Sequence, residues 1–158
     1  MEILIFDHFN AHGSIRVRVR VSGLLVRNNT VLLVAHKKRG KKYWLLPGGG
    51  VKYGESLEQS LVREFREELG ISIEVHNLIF VCDSIEPHGK RHIINITFRC
   101  SYQGGELYLG NDRRLCDYGF FTGREIVDKT LYPPIHDAVV SVLKNKVSEL
   151  YLGRLWVL

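Results

Sequence analysis

The hydrophobic period of this chain changes at one place, and that change limits the folds open to it. From Ile15 to Val26 apolar and basic residues alternate, Val17, Val19 and Val21 against Arg16, Arg18 and Arg20, which is the period-two pattern of a strand. Asn28-Asn29 signals a turn and Val31 to Ala35 reads as a second apolar strand, which predicts a hairpin. Trp44-Leu45-Leu46 is short and extended and runs into Pro47-Gly48-Gly49-Gly50. Beyond these glycines, from Glu55 to Leu69, the period becomes helical. Strands resume at Ile71 to Ile85 and His92 to Tyr102, joined through a loop holding Pro87 and Gly89. Gly104-Gly105 marks a turn, Tyr118 to Phe121 is a further short apolar run, and Pro133-Pro134 precedes an amphipathic stretch, Ile135 to Val147. Strands, one central helix, more strands and a late helix predict an α/β (α+β) fold. Its mixed sheet carries helices on its faces instead of alternating strictly with them.

A chain of 158 residues fits one domain, 1–158, long enough to bury about 68–70% of its unfolded surface without staples. The last segment, 148–158, is too apolar for a free tail and is expected to cover the body or a partner subunit, the latter giving a homodimer. No apolar run approaches the roughly 18 residues of a membrane span, so no membrane partner is expected. The start, Met1 to Asp7, lacks the basic and apolar regions of a secretory signal, and a cytoplasmic location is the expectation. Cys82, Cys100 and Cys116 are odd in number and widely spaced, which reads as three reduced, mostly buried thiols.

Lys and Arg outnumber Asp and Glu by 22 to 17, a balance that favours anionic partners. Basic residues cluster at Arg16, Arg18 and Arg20, at Lys37 to Lys42, and at Lys90-Arg91, whereas acid concentrates between Glu55 and Glu68. Within that acidic stretch, Ser56 and Gln59 have the spacing of a capping box. Leu57, Leu61, Phe65 and Leu69 form an apolar stripe with Val62 beside it. Glu64, Glu67 and Glu68 stand at i, i+3 and i+4 on a face next to that stripe, at the rim of the core. Like charges at this spacing cost a helix about 0.2–0.5 kcal/mol per pair. A hard cation, Mg²⁺ or Mn²⁺, relieves the repulsion. Arg63 is placed to pair with Glu67 or reach back to Glu55. A solvated surface helix is the alternative. Three successive glycines ahead of the helix leave the backbone free to take φ > 0 and to approach a phosphate.

Gly49, five residues, Glu55, seven residues, then Arg63-Glu64-Phe65-Arg66-Glu67-Glu68-Leu69-Gly70-Ile71 resembles the Nudix box, G-x5-E-x7-R-E-U-x-E-E-x-G-U, at every defined position. Its seven identities at fixed spacing arise by chance about once in 10⁹ starting points. The resemblance implies a Nudix-type α/β/α sandwich that hydrolyses a nucleoside diphosphate linked to another moiety, with Mg²⁺ or Mn²⁺. It implies that Glu64, Glu67 and Glu68, with the carbonyl of Gly48, hold metal. Arg63 would orient the glutamates, Glu55 would brace the unit, and Glu64 or Glu67 would take the proton from water. An acid from a later loop is a further candidate for that role, among Glu106, Asp112, Asp117 and Glu125.

On the substrate side, Arg18, Gly49 and Gly50 are the candidate contacts, and Pro87, sixteen residues after Ile71, resembles the ADP-ribose pyrophosphatase subgroup. The expected partner is a small nucleotide diphosphate derivative, ADP-ribose-like or a nucleoside triphosphate. An RNA 5′ end drawn along Lys37 to Lys42 is the alternative, and a non-catalytic nucleotide sensor is a third reading, which the intact glutamate set disfavours. Trp44 is expected to be buried.

Overall fold

The computed structural model describes residues 16–146 and 149–156. Met1 to Asp7, on which the reading of the chain start rests, lies outside them. The basic alternation becomes β1 (Val17–Arg27), and Asn28 and Asn29, both in the left-handed region at φ 49° and 57°, turn the chain into β2 (Thr30–Lys38). β3 (Lys41–Leu45) folds back on β2. The glycine run is then not a loop. Gly48–Gly50 is itself a short strand, β4, antiparallel to β1, with Gly48 alone of the three at positive φ.

After helix α1 (Leu57–Leu69) come two long strands, β5 (Ile71–Ile85) and β6 (His92–Gly105), which form an antiparallel hairpin interrupted by bulges. β6 lies parallel to β1, from Val17 opposite His92 to Leu25 opposite Cys100, and this long-range pairing joins the two halves. β7 (Leu115–Phe121) pairs with β2, and the chain closes with α2 (Gly123–Val127), α3 (His136–Leu143) and β8 (Tyr151–Arg154). The main strand order is β3-β2-β1-β6-β5-β8. β8 runs parallel to β5, with Val81 N–H donating to the Leu150 carbonyl and Leu155 N–H to that of Asp83, both at 2.7 Å. Of the apolar segment 148–158, the described residues 149–156 are used within the chain, Leu152 and Leu155 lying against the core.

Because successive residues of a strand face opposite sides, the sheet divides the interior in two. On one side Val21, Leu25, Leu32 and Val34 meet Leu61, Phe65 and Leu69 of α1. On the other, Leu24, Val31 and Leu33 meet Ile126 of α2 and Val139, Val142 and Leu143 of α3. This is an α/β/α sandwich around a mixed sheet. Cys82 and Cys100 are buried in it and burial pushes their thiols up to about 11 and about 12, so they are inert. Cys116, in contrast to the buried reading, is exposed, because β7 turns it away from both cores. No helix among the described residues is long and apolar enough to cross a membrane.

Phe65 carries the contact between α1 and the sheet. Its ring is fully buried and lies so close to Gly23 that a Cβ there would come within 2.6 Å of it. Phe65→Ala is expected to lower stability by about 3–5 kcal/mol, read from denaturant unfolding.

Candidate active site

The helix α1 starts where its sequence specifies. Ser56 Oγ accepts from Gln59 N–H at 3.1 Å, and the Gln59 side chain accepts from Ser56 N–H at 2.9 Å, so both halves of the box are made. Gly70 caps the other end. With the helix fixed against the sheet through Phe65, its acidic face is delivered to a cleft of about 640 Å³ lined by Gly48, Gly49, Gly50, Arg63, Glu64, Glu67 and Glu68.

The three carboxylates differ in setting. Glu68 is 7% exposed and its Oε2 accepts from Gly48 N–H at 2.9 Å. Glu64 is mostly buried, and burial pushes its carboxyl above the usual range against the pull of Arg63. It lies so close beneath Gly49 that any Cβ at that position would overlap its carboxylate. Glu67, expected at the rim of the core, is instead 57% exposed. Arg63 ties the group together. Its Nε donates to Glu55 Oε1 at 2.6 Å, and its terminal nitrogens to Glu55 Oε2 at 3.0 Å, Glu64 at 2.7 Å, Glu67 at 3.2 Å and the Gly50 carbonyl at 3.2 Å. The Arg63 bonds hold the Glu55 carboxyl down to about 2, and Glu55 also accepts from Lys52 N–H.

Among the described residues no three His, Cys, Asp or Glu side chains close into a cage. The protein itself holds the carboxylates apart: Glu64 on Arg63, Glu68 on the Gly48 amide. The donor set nevertheless fits a hard divalent cation, since all three groups are oxygen ligands on one wall of a cleft and Gly49 leaves the space a carboxylate needs against the backbone. The Gly48 carbonyl is engaged by Arg20, whose guanidinium donates to it at 3.0 Å and to that of Leu46 at 2.9 Å. Arg20 is thus drawn inward, while Arg18 stays exposed and reaches the cleft beside Gly50.

Of the later acids, only Asp112 lines the cleft, and bonds from Arg114 hold its carboxyl down to about 2. Asp117 pairs with Lys42 at 2.6 Å, Glu125 caps α2 on Thr122, and Glu106 does not line the cleft. Pro87 is exposed in the β5–β6 turn, outside the cleft lining. Trp44, expected to be buried, is half-buried between Lys42 and Lys129. Two residues went unnoticed in the sequence. His36 is 7% exposed, its Nε2 without a hydrogen-bond partner and 3.8 Å from Glu68 Oε1. Tyr132 faces Tyr43 across the cleft, with ring centroids 6.2 Å apart. A histidine ending an apolar strand was the available signal for the first; pairing between distant segments hid the second.

A model of the NUDIX domain matches residues 16–142. The ADP-ribose pyrophosphatase of Methanocaldococcus jannaschii is 36% identical over 101 residues, 63% of this chain and 60% of that protein. The NAD-capped RNA hydrolase NudC of Pectobacterium carotovorum is 36% identical over 96 residues, 60% of this chain and 35% of its own length. The chain therefore spans less than two thirds of the length of these curated relatives. Among solved structures, a MutT NUDIX hydrolase from Burkholderia pseudomallei is similar with a TM-score of 0.63 and 29% identity, over 69% of this chain and 85% of that one. The E. coli ORF135 protein shares the fold, with a TM-score of 0.71 and 24% identity over 87% and 98%. The matched span holds the α1-side core, all buried residues of the other core but Leu143, and every residue of the glycine-and-glutamate wall, and the chain belongs to the NUDIX domain family.

Proposed function

We propose that the protein is a metal-dependent pyrophosphohydrolase acting on a nucleoside diphosphate linked to another moiety. The observation that supports this most is one cleft in which the glutamate wall, ordered by Arg63, faces a cationic rim of Arg18, Lys52, Arg66, Arg91 and Arg114. A rim of that sign draws a polyphosphate in, and a volume near 640 Å³ is that of a small-molecule site. The relatives named for ADP-ribose and for capped RNA cleave this kind of linkage, which supports the same reading.

Glu64, Glu67 and Glu68, with the Gly48 carbonyl, would hold Mg²⁺ or Mn²⁺. When bound, the cation neutralises the diphosphate and makes a water acidic enough to attack at neutral pH. The chain's own groups do the rest. Arg18 and the strand Gly49-Gly50 seat the phosphates. Arg63 fixes Glu64 and Glu67 in orientation, and one of these carboxylates would take the water's proton. Water adds to one phosphorus, the bond from it to the bridging oxygen breaks, and two phosphate-ended products leave, the proton passing from the carboxylate to solvent. Glu55, clamping Arg63, braces the unit. The inert buried thiols Cys82 and Cys100 and nucleotide chemistry suit the cytoplasm as its compartment.

Glu68→Gln keeps an oxygen for the Gly48 amide but loses the charge. Outer-shell changes at metal sites cost about 10–100-fold, so hydrolysis of ADP-ribose with Mg²⁺ is expected to fall by more than about 100-fold with unchanged circular dichroism; activity within tenfold of the unsubstituted protein would refute the assignment. The Glu55 carboxyl titrates lower folded than unfolded, so its contribution to stability is complete above its ordinary value of 4.5 and is lost as pH falls towards about 2. Denaturant midpoints of the native chain and Glu55→Gln should therefore differ most above pH 5 and converge near pH 2.

A further inference from the structure

Leu32, Val34 and His36 share one face of β2 by alternation, and the first two are fully buried in the core against α1. Position 36 therefore calls for another apolar side chain. It holds instead an imidazole that is 7% exposed, with Nε2 buried and without a hydrogen-bond partner among the described residues. Burying a polar atom unpaired is unfavourable, so the fold itself gains nothing from a histidine here. β2 and β7 slip register between Ala35 and His36, an irregularity of the kind that re-aims a side chain beside a site. Tyr43 packs against the ring in a T shape, with centroids 5.7 Å apart, which holds its plane.

The ring meets the glutamate wall at one atom. Glu68 gives Oε2 to the Gly48 amide, and its Oε1 lies 3.8 Å from His36 Nε2. An N–H donating to this carboxylate would close to about 2.8 Å, and the observed gap is wider. Two donors on one cation, at roughly 2.1 Å each, stand no more than about 4.2 Å apart. The 3.8 Å separation lies within that limit. The rest of the lining offers no competing nitrogen ligand. Its arginines only donate, and His36 is the one histidine in it among the described residues. Asp112, the nearest later acid, has both oxygens engaged by Arg114, at 2.9 and 2.8 Å.

We propose that His36 Nε2 is a nitrogen ligand beside Glu68 Oε1, so that the wall takes a borderline divalent cation such as Co²⁺ or Zn²⁺ in preference to Mg²⁺. A hard ion gains little from an imidazole, whereas borderline ions of the first transition row bind it well. The preference is one of affinity and leaves Mg²⁺ as an ion the glutamates hold by themselves. The inference rests on the wall being a metal site, and it adds a selectivity that carboxylates alone do not give.

Co²⁺ is the probe, because an imidazole bound to it gives a far-shifted proton signal that disappears in deuterium oxide. The native chain is compared with His36→Leu, which continues the apolar face of β2, and with His36→Gln, which keeps a polar side chain without the ring. Without metal, the thermal midpoint of His36→Leu should match or exceed that of the native chain. His88→Gln, in the exposed β5–β6 turn, controls for binding to surface imidazole. We expect the shifted signal in the native and His88→Gln proteins and its loss in both His36 variants. In isothermal titration the His36 variants should lose about tenfold in affinity for Co²⁺ and less than about twofold for Mg²⁺. Co²⁺ bound without the shifted signal, or a signal that follows His88, would overturn the assignment and leave the glutamate wall standing. So would an equal loss of affinity for both ions, the mark of a histidine that only shapes the fold. Failure of the native chain to bind either ion would refute the metal reading of the wall and this assignment with it.

Discussion

The guanidinium of Arg63 is bonded to three carboxylates and a strand carbonyl at once, and the geometry of the glutamate wall depends on that arrangement. Three glutamates within five residues repel one another, and burial of Glu64 and Glu68 worsens the repulsion because little water screens it. An arginine can answer this where a lysine cannot, since its planar fork offers five donors in fixed directions. It also links the helix to β4 through Gly50 and to the preceding loop through Glu55, so helix, strand and loop are set relative to one another by one side chain.

That hub works only because the sandwich brings its parts together. The helix side of the sheet supplies Phe65 and the apolar stripe, which set the depth of α1. The antiparallel pairing of β4 with β1 lays Gly49 over Glu64 and Arg18 beside Gly50. The parallel pairing of β1 with β6 places Arg91 and Asn95 on the same cleft, some seventy residues away in sequence. Apart from Arg66 of α1, the cations reach the cleft from strands and loops, whereas the three glutamates come from one helix. The cationic rim and the glutamate wall are thus built largely from separate elements.

Local signals in the chain were legible, and non-local ones were not. The Ser56–Gln59 box, the Asn28-Asn29 turn and the bounds of β5 from Ile71 to Ile85 each follow from residues adjacent in sequence. So does the presence of Arg63, Glu64, Glu67 and Glu68 on one helix face. The glycine run misled in a particular way. Three glycines signal freedom, yet pairing with β1 turns them into a strand whose value is the absence of side chains rather than flexibility. α2 passed unseen because five residues show no periodicity, although Thr122 and Glu125 spell its capping box. Glu67 is exposed although Glu68 and Leu69 beside it are buried, a difference that the spacing of the stripe does not resolve. The burial of His36, and the meeting of Tyr43 with Tyr132, depend on strand partners that no local window reveals.

The account stands on the glutamate wall being the place where a divalent cation binds. Titrating Mn²⁺ into the ¹⁵N-labelled protein and recording amide spectra tests this directly, because the paramagnetic ion broadens signals near its site. The amides of Gly48 to Gly50 and Glu64 to Glu68 should disappear first, those of Gly110 to Asp112 next, with Asp83, Asp117 and Glu125 little affected. Broadening centred on any of the latter, or spread evenly over exposed acids while the wall stays sharp, would contradict it.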